Sequence, residues 1–199
     1  FASNTKNKSL KYISKHYDLG NNFFSEWLDN SLTYSSAIYE KKEDNLEIAQ
    51  KNKYQKLINL LDMRDNNKVL EIGCGWGGFS EYLAKKYNVI IDCITISKEQ
   101  FEYTKKRIFE SGLNNKVNVK FLDYRDLNSK YDSIASIEMI EAVGENYLNQ
   151  YFRTIKSSLV PGGKAAIQGI TIKDELFDRY RLNEDFIQKY IFPGGFLPS

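Results

Sequence analysis

The chain has 199 residues, 42% apolar and 27% charged, which suits one soluble globular domain with a sizeable core and excludes a disulfide miniprotein, a collagen and a disordered tail. Its 28 Lys and Arg against 26 Asp and Glu leave a formal charge of +2, so the strongly basic footprint of a general nucleic-acid binder is absent. No apolar stretch approaches the ~20 residues that cross a bilayer and no signal-peptide pattern opens the chain, so a cytoplasmic protein is expected. Cys74 and Cys93 have no metal-ligand spacing with the single histidine, His16, and read as reduced buried thiols; no metal site is expected.

Lys6, Lys8, Lys11 and Lys15 precede the first acid, Asp18, and read either as a solvated basic face or as a contact for an anionic surface. Residues 1–66 form a helical, aromatic-rich cover, with Phe23, Phe24 and Trp27 followed by a helix over 45–61 in which Leu46, Ala49, Tyr54, Leu57, Ile58 and Leu61 keep a helical period. From Lys68 the pattern changes. Short β-branched runs at 68–72, 89–96, 117–122, 131–137 and 164–170 alternate with helical segments at 79–86, 98–111 and 146–159, the spacing of βαβ units and of a parallel sheet covered on both faces. The core spans 67–173. Residues 174–191 read as one further helix within a last segment, 174–199, where Phe186, Ile187, Tyr190 and Ile191 share one side; they either pack on the sheet or line a groove for an acyl chain or partner.

The strongest local signal is Val69-Leu-Glu-Ile-Gly-Cys-Gly-Trp-Gly-Gly78, a strand running through a glycine-rich turn into a helix. Gly73, Gly75 and Gly78 satisfy G-x-G-x-x-G, which permits a tight turn, close backbone approach and ligand binding at a helix N-terminus. Glu71, at the end of the strand, favours S-adenosylmethionine over a dinucleotide, because a carboxylate can meet the methionine ammonium but opposes a pyrophosphate. Asp92, 19 residues after Gly73, is near the spacing of a dinucleotide fold's ribose-binding acid. Thr95 lies closer to the carboxyl end of that strand, and the odd separation puts Asp92 on the other face.

Seven blocks in order carry a family resemblance: His16-Tyr-Asp-Leu-Gly-Asn-Asn-Phe-Phe24, Leu32-Thr-Tyr-Ser-Ser-Ala37, Glu71-Ile-Gly-Cys-Gly-Trp-Gly-Gly78, Thr95-Ile-Ser-Lys-Glu-Gln100, Asp123-Tyr-Arg-Asp126, Ile140-Glu-Ala-Val-Gly144 and Tyr190-Ile-Phe-Pro-Gly-Gly-Phe-Leu-Pro-Ser199. The chain resembles the cyclopropane-fatty-acyl-phospholipid synthase and mycolic-acid methyltransferase family. The resemblance implies an α/β, Rossmann-like class I methyltransferase fold and S-adenosylmethionine-dependent methyl transfer to the double bond of an unsaturated acyl chain. It implies cofactor contacts at Tyr34, Ser35, Glu71, Gly73, Gly75, Gly77, Thr95, Ile96, Gln100, Tyr124 and Ile137. An alkene is a weak nucleophile, so the reaction needs close positioning and exclusion of water and passes through a carbocation. Tyr34, Phe177, Tyr180 and Tyr190 are the aromatic candidates to face it. Cyclopropane-forming relatives are implied to use a bicarbonate base held by a Cys, a Glu and a His. Here the Cys position carries Ser36, the His position Gln168, and the Glu-His pair reads Glu141-Ala142.

Glu141 is thus the expected base, direct or through a water or bicarbonate, with Ser36 and Gln168 as hydrogen-bonding neighbours. The product is a cyclopropane or a methyl- or methylene-branched chain. The implied partner is an unsaturated phospholipid, met by the enzyme peripherally at the inner membrane face; a homodimer is a second partner reading. His16 is expected to orient the cover. A methyltransferase of a small polar substrate and a catalytically impaired lipid-binding relative stay open as alternatives. Five strands are expected, with the closing helix and antiparallel strand pair of such methyltransferases lying beyond Ser199.

Overall fold

A computed structural model describes residues 4–17 and 20–199, with no side-chain description at 14, 15 and 17. The Lys15 side chain of the basic end, and Asp18 and Leu19 of the first family block, lie outside the described residues. Among the described residues three helices, α1 (Lys6–Tyr17), α2 (Asn21–Ser25) and α3 (Leu46–Leu60), precede the sheet. The start of α3 is set by Asn45, whose side chain accepts the Ile48 N–H at 2.9 Å.

Five parallel strands follow among the described residues: β1 (Lys68–Ile72), β2 (Ile90–Thr95), β3 (Val117–Phe121), β4 (Tyr131–Ile137) and β5 (Leu159–Gln168), in the spatial order β3-β2-β1-β4-β5. Their crossovers are α4 (Gly78–Lys86), α5 (Lys98–Glu110) and α6 (Leu148–Ser158). The period of two divides the strand side chains between two cores. Val69, Ile91, Cys93 and Ala135 pack with Leu57, Ile58, Phe79, Leu83 and Ile108. Leu70, Ile72, Ile94 and Ile134 pack on the opposite face with Tyr151 and Ile155 of α6. Both faces of β1 are buried from Val69 to Ile72, as befits a central parallel strand, with Glu71 the one acid in the run. Phe24, Leu32 and Trp76 form a third cluster that seats the cover on the glycine turn.

Two elements differ from the sequence expectation. Strand β5 begins at Leu159, not 164, because Pro161-Gly-Gly163 is carried inside it as an irregularity. Tyr131 pairs with Leu159 but Ser133 with Lys164. The strand lies at an end of the sheet, where a missing N–H and a bulge cost little. The last helix is also broken. Helix α7 (Asp174–Leu182) stops at Asn183, which is extended and donates its side-chain amide to Arg179 O at 2.8 Å. Asp185 and Gln188 then exchange side-chain and backbone bonds of 3.0 and 2.7 Å, a capping box that starts a separate turn at Ile187–Ile191. That turn is wide, closed by the Phe192 N–H on Ile187 O at 2.7 Å.

Strand order reverses between β1 and β4, each running toward the same end. The crevice outside their carboxyl ends is where this topology places a ligand.

Candidate active site

A cavity of about 860 Å³ occupies that crevice and continues under the cover and the C-terminal segment. Its floor is the glycine turn. The Gly73 and Cys74 N–H groups both bond Ile94 O at 3.0 Å, tying the turn to β2. Of the expected cofactor contacts, Tyr34, Ser35, Glu71, Gly73, Gly75, Thr95, Ile96, Gln100, Tyr124 and Ile137 line the cavity. Gly77 does not. It stands at φ +83° as the N-cap of α4, and a Cβ there would lie 2.6 Å from Thr104 Cγ2, so this glycine serves helix packing and turn geometry. Asp92 is also outside the cavity. It is buried among Tyr131 Oη at 2.8 Å, Asn118 at 3.1 Å and Lys120 Nζ at 2.8 Å, on the face away from Thr95.

Glu71 is buried beside the turn and accepts the Ser80 hydroxyl. Burial pushes its carboxyl up to about 8 against that hydrogen bond. The same interior holds Lys53 of α3, which is 1% exposed and donates to Ser35 Oγ at 2.6 Å; burial lowers it to about 8, while Glu138, Asp29 and Glu71 pull it back. A buried acid with so little counter-charge is complementary to a cationic ligand. Near the end of β2, Thr95 donates to Gln100 Oε1 at 2.9 Å, a neutral polar pair at the cavity wall. These residues fit S-adenosylmethionine: the glycine turn and α4 N-terminus, a buried acid for its ammonium, neutral polar groups for its ribose and an aromatic, Tyr124, for its base.

The cover is fixed over this floor by Gln50, whose side-chain amide donates to Ser35 O at 2.9 Å. His16 Nδ1–H donates to Ile191 O at 2.9 Å, and its ring lies 5.7 Å from Tyr34 and 3.8 Å from Phe192. It therefore joins α1 to the Ile187–Ile191 turn as well as orienting the cover.

At the end of β4 the structure brings Ser36 and Gln168 together, but around a residue the motif reading passes over. Glu138 Oε1 accepts the Ser36 N–H at 2.9 Å, Ser36 Oγ at 2.5 Å and Gln168 Nε2 at 2.9 Å. Glu138 lines the cavity and has φ +47°, a left-handed backbone that is uncommon outside glycine. Ser36 lines the cavity too; Gln168 stands behind it. Glu141, three residues on, lines the same cavity with Oε1 bonded by the Ile170 N–H and Oε2 buried without a partner among the described residues. Burial raises its pKa, and the Glu138 carboxylate adds to the rise.

Tyr34 and Tyr180 are the aromatic candidates on the cavity wall. Phe177 instead packs 5.9 Å from Phe196, and Tyr190 lies 60% exposed against Phe186, so neither faces the chamber. Ile187 and Ile191 line the chamber while Phe186 is exposed, so the apolar side of this turn does not pack on the sheet. The Phe192-Pro-Gly-Gly-Phe-Leu197 run folds back over Glu141, with the Phe196 N–H on Glu141 O at 2.8 Å. The sequence reading missed Glu138 and Lys53. Glu138 shared the signal used for Glu71, an acid at a strand end; Lys53 gave none, being a polar residue in an amphipathic helix.

A family model described as mycolic acid cyclopropane synthetase matches residues 4–199. The chain is 41% identical over 199 residues to the cyclopropane-fatty-acyl-phospholipid synthase of Escherichia coli, covering 98% of this chain and 50% of that protein. It is 36% identical over 206 residues to the tuberculostearic acid methyltransferase UfaA1 of Mycobacterium tuberculosis, covering all of this chain and 48% of that one. It thus spans about half the length of these curated relatives. The fold superposes on the crystal structure of the mycolic acid cyclopropane synthase CmaA1 complexed with SAH and CTAB, with a TM-score of 0.88 and 28% identity over 96% of this chain and 70% of that one. With its parallel sheet, glycine turn and cover, the chain belongs to the mycolic acid cyclopropane synthetase family.

Proposed function

We propose that this chain binds S-adenosylmethionine at the glycine turn and transfers its methyl group to the double bond of an unsaturated phospholipid acyl chain. One observation carries the reading: a single cavity joins the crevice above Gly73 and Glu71 to an apolar chamber walled by Ile170, Ile187, Ile191 and Leu197, with carboxylates at the junction. Bound there, the donor supplies an electrophilic methyl on a positively charged sulfur. The alkene π pair would form the new C–C bond with that methyl, the S–CH₃ pair would stay on sulfur, and a cation would be left on the neighbouring carbon. The cover and C-terminal run exclude water from that cation, and Tyr34 and Tyr180 offer it aromatic faces. Glu141 takes the proton. Its buried Oε2, without a partner among the described residues, and its raised pKa suit a base that works in an apolar chamber. Proton loss from the transferred methyl closes a cyclopropane; loss from a chain carbon next to the cation leaves a methyl-branched alkene, and a hydride shift onto the cation followed by proton loss from the methyl leaves a methylene branch.

Exposed Phe23, Trp27, Leu182 and Phe186 support contact with a lipid surface, and Lys8 and Lys11 add positive charge at the same end as the cover. No helix among the described residues is long and apolar enough to cross a membrane. The test is incubation of the full-length protein with methyl-labelled S-adenosylmethionine and unsaturated phospholipid vesicles, followed by mass analysis of the acyl chains. Label in a ring or branch is expected. Label on a water-soluble product, or on nothing, refutes the reading. Glu141→Gln should lower turnover by ~10²–10⁴-fold with cofactor affinity unchanged; undiminished turnover removes Glu141 from the mechanism.

A further inference from the structure

The end of β4 carries a second carboxylate that the proton transfer does not use, and its placement is specific. Three donors converge on Glu138 Oε1: the Ser36 N–H, the Ser36 hydroxyl and the Gln168 amide. No described residue donates to Oε2. Gln168 Nε2 also reaches Ser36 Oγ at 2.9 Å, so the serine and the glutamine form a small polar cradle at the cavity wall that an anion completes. The backbone is held left-handed at φ +47° to put the carboxylate there, a conformation that is strained for an L-residue and persists where the surroundings enforce it. Lys53, one residue behind the cradle through Ser35 Oγ, supplies a buried positive charge whose attraction to Glu138 is the largest of its ionic contacts.

We propose that Glu138 is the built-in anion of this reaction centre: held by Ser36 and Gln168, it faces the positive charge formed on the substrate and fills a slot that would otherwise bind a small carboxylate or bicarbonate from solution. The inference rests on the methyl-transfer reading for its catalytic part and on geometry alone for the slot. The C–C bond forms and the S–C bond breaks beside the Glu138 side chain, and the proton then leaves to Glu141. A fixed anion at the site of a developing cation lowers the barrier without reorganising solvent.

Glu138→Gly tests this, because glycine accepts φ +47° without strain and empties the cradle while Ser36 and Gln168 remain. In carbonate-free buffer the native protein should turn over at its full rate. Glu138→Gly should fall by ~10²–10³-fold with S-adenosylmethionine affinity within threefold, and formate or bicarbonate should restore it at least tenfold. Glu138→Gln should fall similarly without restoration, since its side chain still fills the slot. A native enzyme that needs added bicarbonate, a Glu138→Gly variant within threefold of the native rate, or a loss that formate and bicarbonate leave unchanged each overturns the proposal. The slot is also read without any turnover: labelled bicarbonate followed by carbon NMR should bind Glu138→Gly and not the native protein, and equal binding by the two overturns it. Native protein that methylates no phospholipid would refute the substrate reading while leaving this binding result to decide the slot.

Discussion

Glu71 makes the stability of the empty protein fall with pH in a window where most carboxylates are silent. Its folded carboxyl holds a proton up to about 8, whereas the unfolded chain releases it at the ordinary 4.5. The folded state therefore binds more protons between those values, and stability is lost as pH rises through the window and levels off above it. The slope reaches about 1.4 kcal/mol per pH unit, which sums to about 3–4 kcal/mol between pH 5 and 8. Glu71→Gln is neutral throughout and has no such slope. Any cost of its buried amide is the same at every pH, so the quantity to read is the change in the gap between the two proteins. Glu141, also raised, adds to the fall, and His16, lowered by burial, opposes it as pH rises through the ordinary histidine range. Both act equally in native and variant and cancel. Urea unfolding at pH 5, 6.5 and 8 should show the native protein losing about 3–4 kcal/mol relative to Glu71→Gln. A gap that changes by less than about 1 kcal/mol refutes the reasoning. The same linkage predicts that S-adenosylmethionine, bringing an ammonium to Glu71, releases a proton on binding at pH 7. Calorimetry in buffers of different ionisation heat should detect it for the native protein and not for Glu71→Gln.

Two further substitutions test how the cavity is built. Gly78→Ala would place a Cβ 2.6 Å from Tyr54 Oη and 2.9 Å from Ser31 O, at the joint between α4, α3 and the cover; a loss of about 1–3 kcal/mol in thermal or urea unfolding is expected, and unchanged stability would show that this joint is loose. Tyr180→Phe removes the acceptor of the Leu197 N–H and the Gln188 amide, at 3.0 and 3.1 Å. Amide exchange at Leu197 should speed up and KM for the acyl substrate rise, with cofactor affinity unchanged; unaltered exchange would mean these bonds do not hold the C-terminal run in place.

The parts of this molecule that were legible in sequence are those whose cause is local. All five strands were placed because a run such as Val69-Leu-Glu-Ile72, buried on both faces of a parallel sheet, has no other stable use, and the glycine turn followed from the strand and helix on either side of it. The break after α7 was equally local, since Asp185 and Gln188 spell a capping box, but the apolar period running across it concealed the stop. Residues whose partners are remote gave no such signal. Lys53 is buried only because the cover brings Ser35 to it, and Ser36 meets Gln168 across 132 positions of chain. Glu138 and Glu141 show the limit most clearly. Their odd separation would send them to opposite faces of a continuing strand. The left-handed backbone at Glu138 ends β4, and the short 3₁₀ turn Ile140–Ala142 follows at once, so both side chains reach one cavity. A single unusual φ therefore brings two acids that sequence spacing separates into one chamber, where Glu138 adds to the rise in the Glu141 pKa, and this is the arrangement that two carboxylates with different tasks require.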